Sequence, residues 1–224
     1  MSDQSKTAEL EWRGGAVPVA TRFNDPYFSI DNGLAETGHV FLAGNNLPER
    51  FANDFRIAEL GFGTGLNLLA AWQAWLASGQ SGRLIYTSFE AYPMGFPDMR
   101  KALRNWPELQ ELADEMLAQL EAGDFEITTP TLSVKIILGD ARKTLPQWQG
   151  KADAWFLDGF SPAKNPELWG AELMQAVANH THAGGTFATY TAAGHVRQSL
   201  AKAGFTVTRV AGYGRKRHMT IGTL

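Results

Sequence analysis

A chain of 224 residues with 44% hydrophobic content can bury one substantial core and does not require a second domain. It has no cysteine, which removes disulfides, thiolate zinc sites and a cysteine nucleophile together and suits a reducing compartment. The net charge of −3 excludes a uniformly positive coat for nucleic acid, but the charge is unevenly spread. No acid follows Glu172, whereas Arg197, Lys202, Arg209, Arg215, Lys216 and Arg217 do, so the last 52 residues carry about +6 and the first 172 about −9.

The opening MSDQSKTAELEW has no apolar stretch behind its charges, and no run approaches the roughly twenty apolar residues a membrane span needs. A cytoplasmic protein with neither signal peptide nor membrane segment is expected. WRGGAVPVATRF predicts a small hairpin around a glycine turn, and NDPYFSIDNG a turn-rich stretch with exposed aromatics. Residues 1–54 are therefore expected to form a β appendage on a sheet domain spanning 55–224, the two making one compact unit. From residue 55, apolar runs of strand length alternate with helical patterns. FRIAEL (55–60) predicts a buried strand and GLNLLAAWQAWLASG (65–79) a helix. RLIYTSFE (83–90) is the next strand, followed by helical patterns over FPDMRKALRNW and PELQELADEMLAQLEAG. SVKIILGD (133–140), ADAWFLDG (152–159) and GTFATYT (185–191) supply three more strands. A helix over ELWGAELMQAVANHTHAG separates the last two, with His180 and His182 capping its end. GHVRQSLAKAG (194–204) predicts another helix, and FTVTRVAGY with HMTIGTL a closing hairpin. The expected fold is α/β and Rossmann-like, a mostly parallel seven-stranded sheet whose last strand is antiparallel, as in class I S-adenosyl-L-methionine-dependent methyltransferases.

AELGFGTGLN falls between the strand at 55–60 and its helix. Gly61, Gly63 and Gly65 alternate after Glu59, where the chain must turn sharply and where missing Cβ atoms let backbone approach a ligand. A dinucleotide loop wants G-x-G-x-x-G. Here the third glycine comes one residue early and Leu66 follows it, which matches loops that hold S-adenosyl-L-methionine; a tight turn without a ligand is the alternative. Glu90, at the end of the second strand, is placed to accept from two ribose hydroxyls, or simply to precede a helix. Gly139 and Asp140 would face the adenine edge, Asp140 accepting from the exocyclic amine, although an N-cap on ARKTL explains the same aspartate. Three strand ends with compatible groups favour an adenosyl cofactor. The expected cofactor residues are Glu59, Gly61, Gly63, Thr64, Gly65, Asn67, Glu90, Gly139, Asp140 and Asp158.

The fourth strand should end over the activated methyl group, and it ends in FLDGFSPAKNPELW. Asp158 is the candidate catalytic group: a carboxylate accepts an N–H bond from a neutral amine, orients it and takes up the proton lost during transfer. Phe160 is the second candidate, as a platform for a base or for positive charge growing on nitrogen. A loop cap and a core side chain are the alternatives for the pair.

These residues resemble the tRNA 5-methylaminomethyl-2-thiouridine methyltransferases, the methyltransferase half of bifunctional MnmC and its stand-alone relatives. DPYFSIDNGLAETGHVFLAGNNLPERF, ELGFGTGLN, SFEAYP, DAWFLDGFSPAKNPELW and GYGRKRHM carry the resemblance, which extends from about residue 23 to residue 219. It implies transfer of a methyl group from S-adenosyl-L-methionine to the primary amine of 5-aminomethyl-uridine at wobble position 34 of tRNA. Asp158 would match the family's catalytic aspartate, and Lys164, Arg215, Lys216 and Arg217 would contact the phosphate backbone of the anticodon stem-loop. FSIDNG would add aromatic surfaces for anticodon bases, although Tyr27 and Phe28 also suit packing. His218 stands where the family tends to carry Glu. The bifunctional members continue into a flavin oxidoreductase domain; this chain has no second glycine-rich strand–helix unit, so methylation alone is expected. The five histidines show no metal spacing, and no metal is expected. The competing readings are a methyltransferase for a protein or small-molecule amine, a non-catalytic tRNA-binding module, which would need a degraded cofactor loop, and a nucleotide dehydrogenase, which the glycine spacing disfavours.

Overall fold

The computed structural model describes residues 7–29, 32–123 and 125–224; MSDQSK and the Ile30-Asp31 pair of FSIDNG lie outside them. Gly14 and Gly15, at φ 57° and 75°, turn the expected hairpin between β1 (Leu10–Arg13) and β2 (Val17–Ala20). A two-residue strand, β3 (Asp25–Pro26), completes a small antiparallel sheet. The next stretch is helical: α1 (Gly33–Thr37) runs through a π-helical turn at Gly38–Leu42 into a 3-10 turn at Ala43–Asn45. Asn32 caps α1 by accepting from the Ala35 N–H at 3.0 Å. Five residues are too few to display a 3.6-residue repeat, which is why the pattern reads as turns. Val40, Phe41, Leu47 and Phe51 bury themselves in the main core, so this part of the first 54 residues packs as body.

The principal sheet comprises β4 (Arg56–Leu60), β5 (Leu84–Glu90), β6 (Glu126–Thr128), β7 (Leu132–Leu138), β8 (Ala152–Leu157), β9 (Thr181–Thr189), β10 (Thr206–Ala211) and β11 (His218–Thr223), in the order β10-β11-β9-β8-β4-β5-β7-β6. Helices α2 (Leu66–Ser78), α3 (Phe96–Leu103), α4 (Gln110–Ala122), α5 (Ala141–Thr144), α6 (Ala171–Asn179) and α7 (Gly194–Lys202) make the connections. β4, β5, β7, β8 and β9 are parallel, and β11 inserts antiparallel between β9 and β10, as expected. Two apolar clusters cover the faces. Ile57, Ala154 and Phe156 point to one, while Ala58, Leu60, Trp155 and Leu157 point to the other, the period-2 alternation of a strand covered on both sides.

Two boundaries depart from expectation. The sheet has eight strands, because β6 pairs antiparallel with β7; its pattern of one buried residue, Ile127, between exposed Glu126 and Thr128 is too short to signal a strand. α6 ends at Asn179, where the Thr181 hydroxyl donates to the Val177 carbonyl at 2.7 Å and the chain passes straight into β9. His180 ends the helix with Nδ1 2.8 Å from the Gly150 carbonyl, but His182 already lies in β9, with Nδ1 2.8 Å from Asp153 Oδ1.

β4 and β8 lie side by side, Leu60 opposite Leu157, and connections leave them toward opposite sides of the sheet. This is the switch point at which a ligand crevice opens beyond the strand ends. Gly61 and Gly159 meet there: a Cβ on Gly61, whose φ is 84°, would stand 3.0 Å from Gly159 Cα and 3.2 Å from its nitrogen. Gly79, at φ 67°, caps α2 with open space around it. Gly79→Ala should therefore lose only the roughly 1–3 kcal/mol of left-handed strain, whereas Gly61→Ala should lose clearly more, since backbone must also move. Urea unfolding of the two variants in parallel checks the difference.

Candidate active site

Strand register assembles the site. Glu59 lies opposite Ser88 of β5 and Phe156 of β8, and it points to the same face as Ile57, where α2 packs. Asp158 follows Ala154 and Phe156 by even steps and emerges on that face. Asn67, in the first turn of α2, thus stands between two carboxylates. Its Nδ2 donates to Glu59 Oε1 at 2.9 Å and to Asp158 Oδ2 at 2.8 Å, and its Oδ1 accepts from the Thr37 hydroxyl at 2.9 Å. Ser88 Oγ donates to the second Glu59 oxygen at 2.7 Å. The ionised Asp158 carboxylate fixes the sense of the amide, since it can only accept and so draws the N–H groups, leaving Oδ1 for the Thr37 hydroxyl.

Burial sets the charge state. Glu59 is fully buried, and loss of solvation pushes its carboxyl up to about 8 against the opposing donors Asn67 and Ser88. Asp158 is pushed up to about 6 by burial, with Asn67, the Gly159 N–H and the Lys216 charge pulling the other way. Glu90 is also raised by burial, opposed by backbone N–H groups of which Gly63 (3.0 Å) and Tyr92 (2.7 Å) are the nearest. Its carboxylate ties the glycine loop to the end of β5.

Beyond these groups opens a cavity of about 590 Å3 whose lining includes Gly61, Gly63, Thr64, Asn67, Glu90, Asp140, Asp158 and Phe160. Glu59 lies behind it, and Gly65 starts α2 at φ 82° without reaching the cavity wall. Gly139 also stays outside the lining. Asp140 reaches it but caps α5, accepting from the Arg142 N–H at 2.9 Å while the Arg142 guanidinium spans both oxygens at 2.6–3.0 Å. Those contacts occupy its acceptor directions, so the capping alternative describes the geometry. Phe160 stacks on Phe23 with centroids 4.6 Å apart and meets Tyr27 edge-on at 5.1 Å. Tyr27 and Phe28 both pack and line the cavity, Phe28 against Trp106 at 4.8 Å.

The expected phosphate contacts separate. Lys164 is drawn to the Asn24 carbonyl and to Asp25 Oδ1, the latter at 3.1 Å, and so bolts the segment after β8 to the small sheet instead of standing at the cavity. Arg215 is exposed at the cavity rim, and Arg217 is exposed outside it. Lys216 turns inward to Glu36 Oε1 at 2.8 Å. Sequence reasoning passed over Glu36, Thr37 and Tyr190. Tyr190 sits just past the end of β9, so the strand-end rule applied to the other strands would have found it; the two α1 residues gave no periodic signal. Among the described residues no cluster of three or more His, Asp or Glu side chains is placed to hold a metal ion, and no helix is long and apolar enough to cross a membrane.

A family model described as S-adenosyl-L-methionine-dependent methyltransferase matches residues 103–224. The chain belongs to this family. It is 43% identical over 233 residues to the tRNA 5-methylaminomethyl-2-thiouridine biosynthesis bifunctional protein MnmC of Stutzerimonas stutzeri, covering 99% of this chain and 35% of that protein. Identity to the protein of the same name from Chromobacterium violaceum is 43% over 226 residues, covering 96% and 34%. The crystal structure of MnmC2 from Aquifex aeolicus superposes with a TM-score of 0.78 at 28% identity, over 100% of this chain and 72% of that one. The resemblance drawn from the motifs, to the methyltransferase unit of the MnmC proteins, is borne out. The chain spans about a third of the length of these curated relatives.

S-adenosyl-L-methionine is the cofactor of this methyltransferase, and the residues present fit it. Gly61 and Gly63 leave a side-chain-free cradle at positive φ, and Glu90 offers a carboxylate beside it for hydroxyl donors. When bound, the cofactor supplies an electrophilic methyl group.

The buried acid makes a prediction independent of turnover. Glu59 binds its proton more tightly folded than unfolded, so its contribution is complete below its ordinary value of 4.5 and is lost as pH rises to about 8. Asp158 acts with the same sign, but only up to about 6. Between pH 6 and 8 wild-type stability should fall by an amount on the order of a few kcal/mol, and Glu59→Gln should flatten that slope. Thermal midpoints across this range measure it.

Proposed function

We propose that the protein transfers a methyl group from S-adenosyl-L-methionine to the primary amine of 5-aminomethyl-(2-thio)uridine at wobble position 34 of tRNA, giving 5-methylaminomethyl-(2-thio)uridine. The observation that carries this reading is Asp158: a carboxylate pinned by Asn67 at the end of β8, next to the glycine cradle and facing a cavity walled by aromatic rings. The names of the MnmC relatives point to the same tRNA product. An alkylamine in water is protonated and has no lone pair to give. Asp158 accepts an N–H bond from the amine and takes its proton, and a carboxyl near 6 is a better match to an amine than an ordinary aspartic acid. Phe160, held by Phe23 and Tyr27, forms a wall for the uracil ring.

Within this reading Gly61, Gly63, Thr64 and Glu90 hold the cofactor, Asn67 aims Asp158 from the cavity lining with Glu59 behind it, and Arg215 and Arg217 contact phosphates of the anticodon stem-loop. The small sheet of β1–β3 serves as an appendage to the methyltransferase unit, whose core the segment around Val40 to Phe51 joins. Asp25 supports this arrangement, with Oδ2 accepting from the Ser161 N–H at 2.9 Å and Oδ1 meeting Lys164, so the small sheet braces the segment that carries Phe160. The enzyme works in the cytoplasm, with the tRNA pool.

Labelled S-adenosyl-L-methionine and tRNA carrying 5-aminomethyl-uridine should yield 5-methylaminomethyl-uridine on nucleoside analysis. Asp158→Ala should lower the rate by about 100-fold or more, and the wild-type rate should fall as pH drops below about 6. Methylation of a protein or free amine that tRNA does not inhibit would replace the substrate assignment. Arg215→Ala should raise KM for tRNA by a factor that shrinks as salt rises; a factor indifferent to ionic strength removes the phosphate contact.

A further inference from the structure

Lys216 belongs to a run of three exposed cations in the turn between β10 and β11, and its half-exposed side chain reaches back into the cavity lining. Its Nζ lies 2.8 Å from Glu36 Oε1 and 4.1 Å from the centroid of the Tyr190 ring. Both partners are fixed. Glu36 has a side chain only 12% exposed on α1, next to Thr37, which anchors Asn67. The Tyr190 hydroxyl donates to the Gly159 carbonyl at 2.7 Å, and its ring stands edge-on to Trp169 at 6.2 Å. Glu36, Tyr190, Lys216 and Asp158 line the same cavity, and the charges on Lys216 and Glu36 both act on the Asp158 carboxyl.

A carboxylate beside an aromatic face is a receptor for a small organic cation, since the ring quadrupole and the anion attract it from two directions. The end of a lysine side chain is a primary alkylammonium on a methylene. The protonated aminomethyl group of the substrate named above has the same structure. We propose that Glu36 and Tyr190 form the subsite that receives the substrate's primary alkylammonium, and that Lys216 is an intramolecular occupant which the substrate displaces. The assignment rests on the aminomethyl-uridine reading and deepens it. Glu36 and Tyr190 seat the amine in its arriving, cationic form; Asp158, on the same cavity wall, takes the proton. A nucleoside without the ammonium cannot replace Lys216 on Glu36 and would leave the pair closed.

Two synthetic anticodon stem-loops, one with 5-aminomethyl-uridine and one with 5-methyl-uridine at the target position, provide the test. Their phosphates are identical, so the ratio of their dissociation constants isolates the ammonium. Wild type should prefer the aminomethyl form. Glu36→Gln should reduce that preference by roughly tenfold or more, the scale of a charged hydrogen bond. Lys216→Met, at an exposed turn and without effect on the core, should increase it by removing the competitor. An unchanged ratio in folded Glu36→Gln, or a ratio lowered by Lys216→Met, overturns the subsite. Wild type that neither prefers nor methylates the aminomethyl form overturns the substrate reading itself, and the subsite with it.

Discussion

A single side-chain amide ties together the ends of β4 and β8 at the cavity. Glu59 and Asp158 emerge on one face of adjacent strands, where loss of solvation makes both resist ionisation and the charge on Asp158 adds to the effect on Glu59. Asn67 satisfies one oxygen of each, while its own oxygen accepts from the Thr37 hydroxyl. The arrangement divides the two acids. The one with no exposure retains its proton to about pH 8, and the one facing the cavity gives it up near 6, where it can serve as a proton acceptor at neutral pH. Thr37 comes from α1, outside the parallel sheet, so the helical turns before β4 take part in aiming a group at the end of β8.

The cavity consequently has two kinds of wall. The glycine loop and the ends of β4 and β5 are built by sheet geometry alone, with Gly61 against Gly159 and Glu90 lashed to Gly63. The rest of the lining is recruited from the flanks: Phe23 and Tyr27 from around β3, Glu36 from α1, Tyr190 from the end of β9 and Lys216 from the last turn. In the proposed reaction the first group serves the cofactor and the second, where aromatic faces and paired charges concentrate, serves the acceptor.

Much of this was legible in the residues. Alternating apolar runs located five parallel strands and the closing hairpin, and the rule that strand ends present ligand groups pointed to Glu90 and Asp158, both of which line the cavity. Local chemistry gives two other expected contacts a partner within the chain. Asp140 is taken by the cap of α5 and by Arg142 two residues on, and Lys164 by Asp25, a residue 139 positions earlier that no local pattern connects to it. Glu36 and Thr37 were illegible for another reason. Their importance comes from a tertiary meeting with Asn67 and Lys216 at sequence separations of 30 and 180, and a five-residue helix leaves no periodicity to announce itself.

The strand that escaped notice in the sequence has a protective consequence. β6 is three residues long and terminates the sheet beside β7, with Glu126 and Lys135 paired at 2.8 Å across the final ladder. A long, flat, apolar margin invites another molecule to add its own strand. Here an incoming chain would find a truncated template bearing opposite charges, and the largest β-structure in the protein is guarded against edge-to-edge aggregation on that side.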